Sequence, residues 1–166
     1  MDLDTLNGLP VAEAQQAFLE CCASNAWAAA MVRHRPFHDE VAVLETARDL
    51  SGALGPGDWS EAFAAHPRIG ETRIGGGRSE SWSRHEQAGT HRAPPEVIER
   101  LAACNREYEA RFGRVYLVFA SGRSAGDLLE ECARRLGNDP ETERQIAARE
   151  LEKITELRLR KLMGIG

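Results

Sequence analysis

Apolar residues recur at intervals of three and four along most of the chain, the spacing that places them on one face of an α-helix. After a polar lead, Pro10 stands where a first helical turn tolerates proline, and the pattern predicts a helix to about Ser24. Asn25 is predicted to cap a shorter helix, which ends at the Arg35-Pro36 pair because the residue before proline disfavours helical backbone. The start of the chain is therefore predicted to be helical.

The next two predicted helices lead to a histidine. His38-Asp39-Glu40 provides an acidic start for the first of them. Its predicted apolar stripe consists of Val41, Leu44, Ala47 and Leu50. Ser60 is predicted to cap one or two further turns through Phe63. Because Pro67 forces the backbone out of the helix, His66 is predicted to lie at a helix exit.

Three longer patterns fill the second half, after a Gly- and Arg-rich stretch from Arg68 to Ser81 that is predicted to be loop. A helix is predicted to begin near Ser83. Strong start and stop signals then bound three more, from Pro94-Pro95 to Gly113, from Ser124 to Gly137, and from Asp139 to about Met163.

Residues 115–120, Val-Tyr-Leu-Val-Phe-Ala, are the one apolar run rich in strand-forming residues. Two interpretations stay open, a lone extended segment or a buried turn of helix. With at least six helical segments and at most one short extended run, the predicted fold class is all-α, a single compact multi-helix domain over residues 1–166.

Composition narrows the class of protein. The chain has 166 residues, of which 42% are hydrophobic, yet no apolar run is long enough to cross a bilayer. No secretory signal is recognised at the start, and the four cysteines form no C-x-x-C pair, so we expect a cytoplasmic protein with buried, reduced thiols. The formal net charge of -5 argues against a nucleic-acid partner.

The stretch from His66 to Gln87 contains polar and ionisable side chains that a helical scaffold does not require. It contains an imidazole, a hydroxyl, a carboxylate and a carboxamide, on His66, Ser83, Glu86 and Gln87, around the glycine tip 75–77. A glycine tip can return the chain so that Glu86 orients His66 for acid/base work near neutral pH. Residues 66–92 contain five arginines but only three glutamates, and this local excess of positive charge suggests an anionic ligand.

Each of these features also has a structural interpretation. Ser83 and Glu86 match the S-x-x-E capping box, in which both would only satisfy backbone N–H groups. His66 alone would be an ordinary helix-terminal histidine. A zinc site from His66, His85 and Glu86 is a weaker hypothesis, since none of the usual ligand spacings is present.

Arg158 interrupts the apolar stripe of the last predicted helix. The other members of that stripe are Ala147, Leu151, Ile154 and Leu162. A long cationic side chain can extend from such a face to water, or it can reach a buried anion or carboxylate. The sequence leaves both possibilities open.

The chain resembles the 2-oxo-4-hydroxy-4-carboxy-5-ureidoimidazoline (OHCU) decarboxylase family of the urate-to-allantoin pathway. The resemblance extends in one order over nearly the whole chain. The matching segments are Cys21-Cys22-Ala-Ser-Asn-Ala-Trp27, Arg35-Pro36-Phe37, His66-Pro67-Arg-Ile-Gly70, Ser83-Arg-His-Glu86-Gln87-Ala-Gly89, Asn105-Arg-Glu-Tyr108-Glu-Ala-Arg-Phe112-Gly113, Phe119-Ala-Ser-Gly-Arg123-Ser, Arg135-Leu-Gly-Asn138-Asp139 and Glu150-Leu-Glu-Lys153-Ile154-Thr-Glu-Leu157-Arg158-Leu159.

The resemblance implies an all-helical homodimer that needs no cofactor and decarboxylates a small anionic ureidoimidazoline to (S)-allantoin. It implies that His66 is the catalytic proton donor. The implied substrate contacts are Pro67, Ser83, Glu86, Gln87, Tyr116, Leu117, Val118, Phe119, Ala120 and Arg158.

The same residues are consistent with two rival functions. The first is another cofactor-free lyase, or a hydrolase of cyclic ureides, that uses the same residues differently. The second is a helical interaction protein whose Arg-rich loop binds an acidic partner. A binding loop has no need for His66, Glu86 and Gln87 together, so it ranks last.

Overall fold

The computed structural model describes residues 1–71, 78–90 and 93–165, and every regular element within them is helical. The α-helices are α1 (Leu3–Gly8), α2 (Val11–Cys21), α3 (Asn25–Arg33), α4 (Glu40–Gly52), α5 (Pro56–Ala64), α6 (Arg78–Glu86), α7 (Pro95–Phe112), α8 (Ala125–Arg135) and α9 (Pro140–Met163), and a 3₁₀ turn spans Ala88–Thr90. The predicted all-α class is confirmed. In the described part of the chain, no helix is both long and apolar enough to span a membrane.

Contacts divide the described residues into two compact units. The first consists of Met1–Ala62 and the described chain from Glu152 onward, and the second is the described part of Phe63–Leu151. In the first unit, the Phe18 ring meets Trp27 and Phe37 edge-on, with ring centroids 6.1 and 6.4 Å apart. The Trp27 indole N–H donates to the carbonyl of Ala47 at 3.1 Å, which joins α3 to α4 through a buried polar contact.

Helix caps in the first unit differ from prediction in two places. Ser24, not Asn25, caps α3 by accepting from the N–H of Trp27. The predicted polar lead contains α1, whose N-cap Asp2 accepts from the N–H of Thr5 at 2.8 Å. Leu6 is the one buried residue of α1, so six residues gave no apolar period to detect.

The predicted registers of α4 and α5 were also wrong. Val41 is 59% exposed, whereas Val43 is fully buried and forms the inner face of α4 with Ala47 and Ser51. Ser60 lies inside α5 and donates its hydroxyl to the carbonyl of Pro56, one turn earlier. The helix therefore starts at Pro56, where proline is tolerated.

In the second unit, a buried ion pair lies among aromatic rings. Arg135 and Glu143 have side chains with no exposed surface, and Nε of Arg135 donates to Glu143 at 2.8 Å. Tyr108 donates its hydroxyl to the same carboxylate, and burial raises the pKa of Tyr108 to about 12. Removing one partner would leave a buried charge uncompensated, at a cost of about 3–5 kcal/mol.

The predicted boundaries of the last three helices are confirmed. Gly113 ends α7 in the left-handed conformation at φ +69°, which glycine adopts without strain. Ser124 and Asp127 form a reciprocal capping box at the start of α8. Asp139 accepts from the N–H of Thr142 at 3.0 Å at the start of α9. These three helices had the strongest start and stop signals in the sequence.

Candidate active site

His66 follows the end of α5, as predicted. Its backbone N–H donates to the carbonyl of Phe63 at 3.1 Å, and Pro67 then prevents the helix from continuing. The residue is 7% exposed, and its Nε2 atom is withdrawn from solvent. The imidazole therefore lies in the protein interior and not on the surface.

Two carboxamides hold the segment after His66. Gln87 accepts from the N–H of Gly70 at 2.9 Å through its side-chain oxygen, and Asn105 donates its amide N–H to the carbonyl of Ile69 at 2.8 Å. Gly70 has φ +87°, a conformation that favours glycine. The turn between His66 and Glu71 is thus joined to Gln87, the residue after α6, and to α7.

A bidentate ion pair forms a further link to α7. Nε and Nη2 of Arg68 donate to the two carboxylate oxygens of Glu109 at 2.6 and 2.9 Å. Hydrogen bonds from Arg68 hold the pKa of the Glu109 carboxyl below its ordinary value.

The sequence placed the start of α6 too late. The helix begins at Arg78, so Ser83 is inside it and the predicted capping-box role for Ser83 and Glu86 is wrong. Glu86 and Gln87 are both 8% exposed, while Arg84 and His85 are exposed. The glycine tip at 75–77 lies outside the described residues. The last residue of α6, Glu86, and the residue after it, Gln87, are therefore buried within the second unit.

An open pocket of about 450 Å³, a volume that includes its mouth, lies against α6. Three predicted substrate contacts line it, Pro67, Ser83 and Gln87. The other lining residues are Ala65, Glu71, Ser79, Glu80 and Arg84. The lining includes Ala65 and Pro67, the chain neighbours of His66, but not His66 itself.

Sequence reasoning missed four of the polar lining residues. Ser79 and Ser83 are four residues apart, as are Glu80 and Arg84, and that spacing puts each pair on one side of a helix. The signal was hidden because the first turn of α6 was assigned to the loop. The pocket wall thus combines two carboxylates with one guanidinium, a mixed lining suited to a ligand with N–H donors as well as negative charge.

Residues 115–120 are neither helix nor strand, so the buried helical turn was the wrong alternative. The carbonyl of Leu117 accepts from Nη1 of Arg135 at 2.9 Å, and the N–H of Phe119 donates to Glu150 at 2.7 Å. Four of the five predicted contact residues here, Tyr116, Leu117, Val118 and Ala120, are buried. Charged side chains replace the missing ladder of backbone hydrogen bonds.

Arg158 lies in the first unit and is 4% exposed, so its side chain does not extend to water. Its Nη1 atom is 3.5 Å from the carbonyl oxygen of Glu20. Nearby, burial raises the pKa of the Cys22 thiol to about 11. The interpretation in which Arg158 extends to water is therefore wrong, and its reach toward a buried anion or carboxylate stays a prediction.

The zinc hypothesis required His85 to join His66 and Glu86. His85 is exposed, and its Nδ1 atom is 2.8 Å from the carbonyl oxygen of Ser81, one turn earlier in α6. Across the ranges that the structure describes, no group of three or more His, Cys, Asp or Glu side chains could hold a metal ion.

A sequence model of the OHCU decarboxylase family matches residues 7–160, which extend through both units. The chain belongs to this family. It is 28% identical over 168 aligned positions to the 2-oxo-4-hydroxy-4-carboxy-5-ureidoimidazoline decarboxylase of Amia calva, which covers 98% of this chain and 95% of that protein. Family membership agrees with the resemblance inferred from the motifs.

A plant relative and two solved structures extend the comparison. The chain is 35% identical to the uric acid degradation bifunctional protein TTL of Arabidopsis thaliana, matching 87% of this chain but only 45% of that protein. A crystal structure of OHCU decarboxylase in the presence of (S)-allantoin superposes with TM-score 0.77 at 34% identity, covering 89% of this chain and 96% of that one. An (S)-allantoin synthase shares the fold, with TM-score 0.74 at 16% identity over 98% of this chain and 54% of that one.

Proposed function

We propose that this protein decarboxylates 2-oxo-4-hydroxy-4-carboxy-5-ureidoimidazoline to (S)-allantoin in urate degradation. Membership of the OHCU decarboxylase family over residues 7–160 supports the reaction. The observation that carries the proposal is the pocket against α6, where Pro67, Ser83 and Gln87 line a cavity next to His66. The relative crystallised with (S)-allantoin supports the ligand class.

The reaction requires one bond to break and one proton to be placed. The bond between the ring carbon and the carboxylate breaks, carbon dioxide leaves, and the electron pair passes into the adjoining C=N of the imidazoline. The ring nitrogen of that group takes up a proton from water, the substrate's hydroxyl loses its proton as it becomes a carbonyl, and a proton reaches the ureido-bearing carbon on one face. The protein must therefore stabilise negative charge and deliver a proton from a fixed direction.

His66 is the group proposed to move these protons, and Glu86 is proposed to orient it. Both residues are buried, and Glu86 belongs to the helix that lines the pocket. A carboxylate that holds one imidazole nitrogen fixes the tautomer of the ring and stabilises its protonated form. Positioned acid/base catalysis of this kind contributes about 10²- to 10⁴-fold in rate.

The remaining predicted residues are proposed to bind the substrate. Because the carboxamide oxygen of Gln87 accepts from Gly70, the NH₂ end of Gln87 is the end that can donate to a substrate oxygen. Ser83 supplies a hydroxyl, and Pro67 supplies an apolar wall. The peptide groups of residues 116–120 are proposed to hydrogen-bond the ring and the ureido group, and Arg158 to neutralise anionic charge.

We also propose a cytoplasmic homodimer that works without a cofactor. The four cysteines are all buried and form no disulfide among the described residues, as expected in a reducing compartment. Sedimentation equilibrium of the purified protein tests the dimer. A monomer at micromolar concentration would contradict that part of the proposal.

The function is tested by generating the labile substrate in place from urate and following the circular dichroism of allantoin. With the protein present, we expect a faster rise of the (S)-allantoin signal than in the same mixture without protein. Equal rates with and without protein would refute the proposed function.

A further inference from the structure

The two peptide units on either side of the Val118 Cα atom are each held by a charged side chain. Nη1 of Arg135 donates to the carbonyl of Leu117 at 2.9 Å, and Glu150 accepts from the N–H of Phe119 at 2.7 Å. Arg135 is fully buried and Glu150 is 7% exposed. Charged groups form the stronger class of hydrogen bond, so these two peptide planes are firmly oriented.

The geometry of these two peptide units also determines the directions of the Val118 N–H and the Val118 C=O. Both peptide units are trans, and in a planar trans unit the C=O and the N–H point in opposite directions. Arg135 therefore orients the N–H of Val118 away from itself, and Glu150 orients the C=O of Val118 away from itself. The buried side chains of Arg135 and Glu150 thus orient one donor and one acceptor of Val118.

These two ends have no partner among the residues that the structure describes. No hydrogen bond joins the backbone N–H or C=O of Val118 to any residue in 1–71, 78–90 or 93–165. Val118 is nevertheless buried, at 2% exposure. A buried peptide group without a hydrogen bond costs free energy, which a bound ligand can recover by pairing with it.

The same charges also strengthen the two groups. A peptide whose carbonyl accepts from a guanidinium becomes a better N–H donor, and one whose N–H donates to a carboxylate becomes a better C=O acceptor. A ureido group carries the complementary set, a carbonyl oxygen and N–H donors next to each other. The arrangement at Val118 thus matches the side chain of the proposed substrate.

We propose that Arg135 and Glu150 are positioning residues that aim and polarise the Val118 N–H and C=O to bind the ureido group of the substrate. This inference rests on the proposed function and adds to it two residues that touch no substrate. The Val118 groups are proposed to bind substrate and transition state equally well. Loss of their orientation should therefore raise KM and leave kcat nearly unchanged.

Glu150 is the better residue to vary, since a change at Arg135 would leave Glu143 as an uncompensated buried charge. Glu150→Leu removes the acceptor for the Phe119 N–H, whereas Glu150→Gln keeps a carbonyl oxygen that can accept. Glu130→Leu makes the same change at an exposed position of α8, in the same unit. Near-ultraviolet circular dichroism checks that each variant is folded.

For Glu150→Leu we expect KM for the substrate, and Kd for (S)-allantoin, to rise about 5- to 100-fold, because a ureido N–H is left without its Val118 partner. The value of kcat should stay within about threefold, because the acid/base groups are untouched. Glu150→Gln keeps an acceptor but loses the charge, so it should raise both constants less than Glu150→Leu does, and Glu130→Leu should change neither. A folded Glu150→Leu protein with wild-type KM and Kd would overturn the inference.

A second measurement needs no variant of Glu150. In ¹H–¹⁵N spectra of the wild-type protein titrated with (S)-allantoin, the amide of Val118 should shift and become protected from exchange. Binding that leaves the Val118 amide unchanged would overturn the inference even if Glu150→Leu failed to fold. Absence of turnover by the wild-type protein would refute the proposed function instead, so the two failures are distinguishable.

Discussion

At the scale of single residues, the account depends on how Glu86 acts on His66. Both side chains are buried, and burial would strengthen the electrostatic interaction proposed between them. A carboxylate beside an imidazole stabilises its protonated form, while a neutral amide of the same shape does not.

Glu86→Gln should therefore reduce kcat by about 10²-fold and move the alkaline limb of the pH–rate profile to lower pH. The measurement is kcat across the pH range for wild type, Glu86→Gln and the control Glu96→Gln, which lies exposed in the first turn of α7. An unchanged profile for Glu86→Gln would remove Glu86 from the mechanism.

Gly89 is a second residue on which the site depends. A Cβ atom at this position would lie 2.0 Å from the carbonyl oxygen of Arg123 and 3.1 Å from its carbonyl carbon. Both are backbone atoms that cannot rotate away, so only glycine allows the 3₁₀ turn after Gln87 to approach this closely.

Gly89→Ala should lower the free energy of unfolding by about 1–3 kcal/mol through this overlap. Gly126→Ala is the matched control in the same unit, because its Cβ would meet the Ser124 hydroxyl at an ordinary 3.7 Å. Urea denaturation measures the free energy of unfolding of the two variants and of the wild type. Equal stability of the two would show that the backbone contact at Gly89 relaxes without cost.

At the scale of elements, the contact that links the His66 segment to α7 is sensitive to pH. The side chain of Arg68 is 43% exposed and that of Glu109 is 23% exposed, so the pair is screened and contributes about 1 kcal/mol or less. The pKa of Glu109 is lowered in the folded protein, so its stabilisation is complete above the ordinary value of 4.5 and is lost as pH falls through the folded-state value.

Glu109→Gln should be less stable than wild type at pH 7, and the difference should shrink as the pH falls below 4.5. Glu107→Gln, exposed on the same helix, should show no such convergence. Urea midpoints measured from pH 7 downward test this. A difference that stays constant with pH would mean that the Glu109 charge does not stabilise the fold.

Elements also differ in how well the sequence predicted them. The helices α7, α8 and α9 combine long apolar periods with caps at Ser124 and Asp139, so local and tertiary preferences agree. The first turn of α6 has no apolar period, and its Gly- and Arg-rich approach reads as loop. Ser83 matches the sequence pattern of a helix N-cap, but it lies inside α6.

At the scale of the whole molecule, motif order along the chain predicted the family, because a match over residues 7–160 does not depend on where each helix begins. Pocket membership was harder to predict. Glu71, Ser79, Glu80 and Arg84 line the cavity because of the direction in which α6 packs, which is a tertiary property. The roles of Arg135 and Glu150 were likewise invisible, since both act on backbone atoms far away in sequence.

The central claim is that His66 delivers the proton that fixes the configuration of the product. The most direct measurement is the enantiomeric excess and rate of early allantoin formation, with the substrate generated in place in D₂O, for wild type and His66→Ala. The account predicts fast, deuterated (S)-allantoin from wild type, and racemic allantoin at the rate of the protein-free mixture from a folded His66→Ala variant. Production of (S)-allantoin by His66→Ala at the wild-type rate would contradict it.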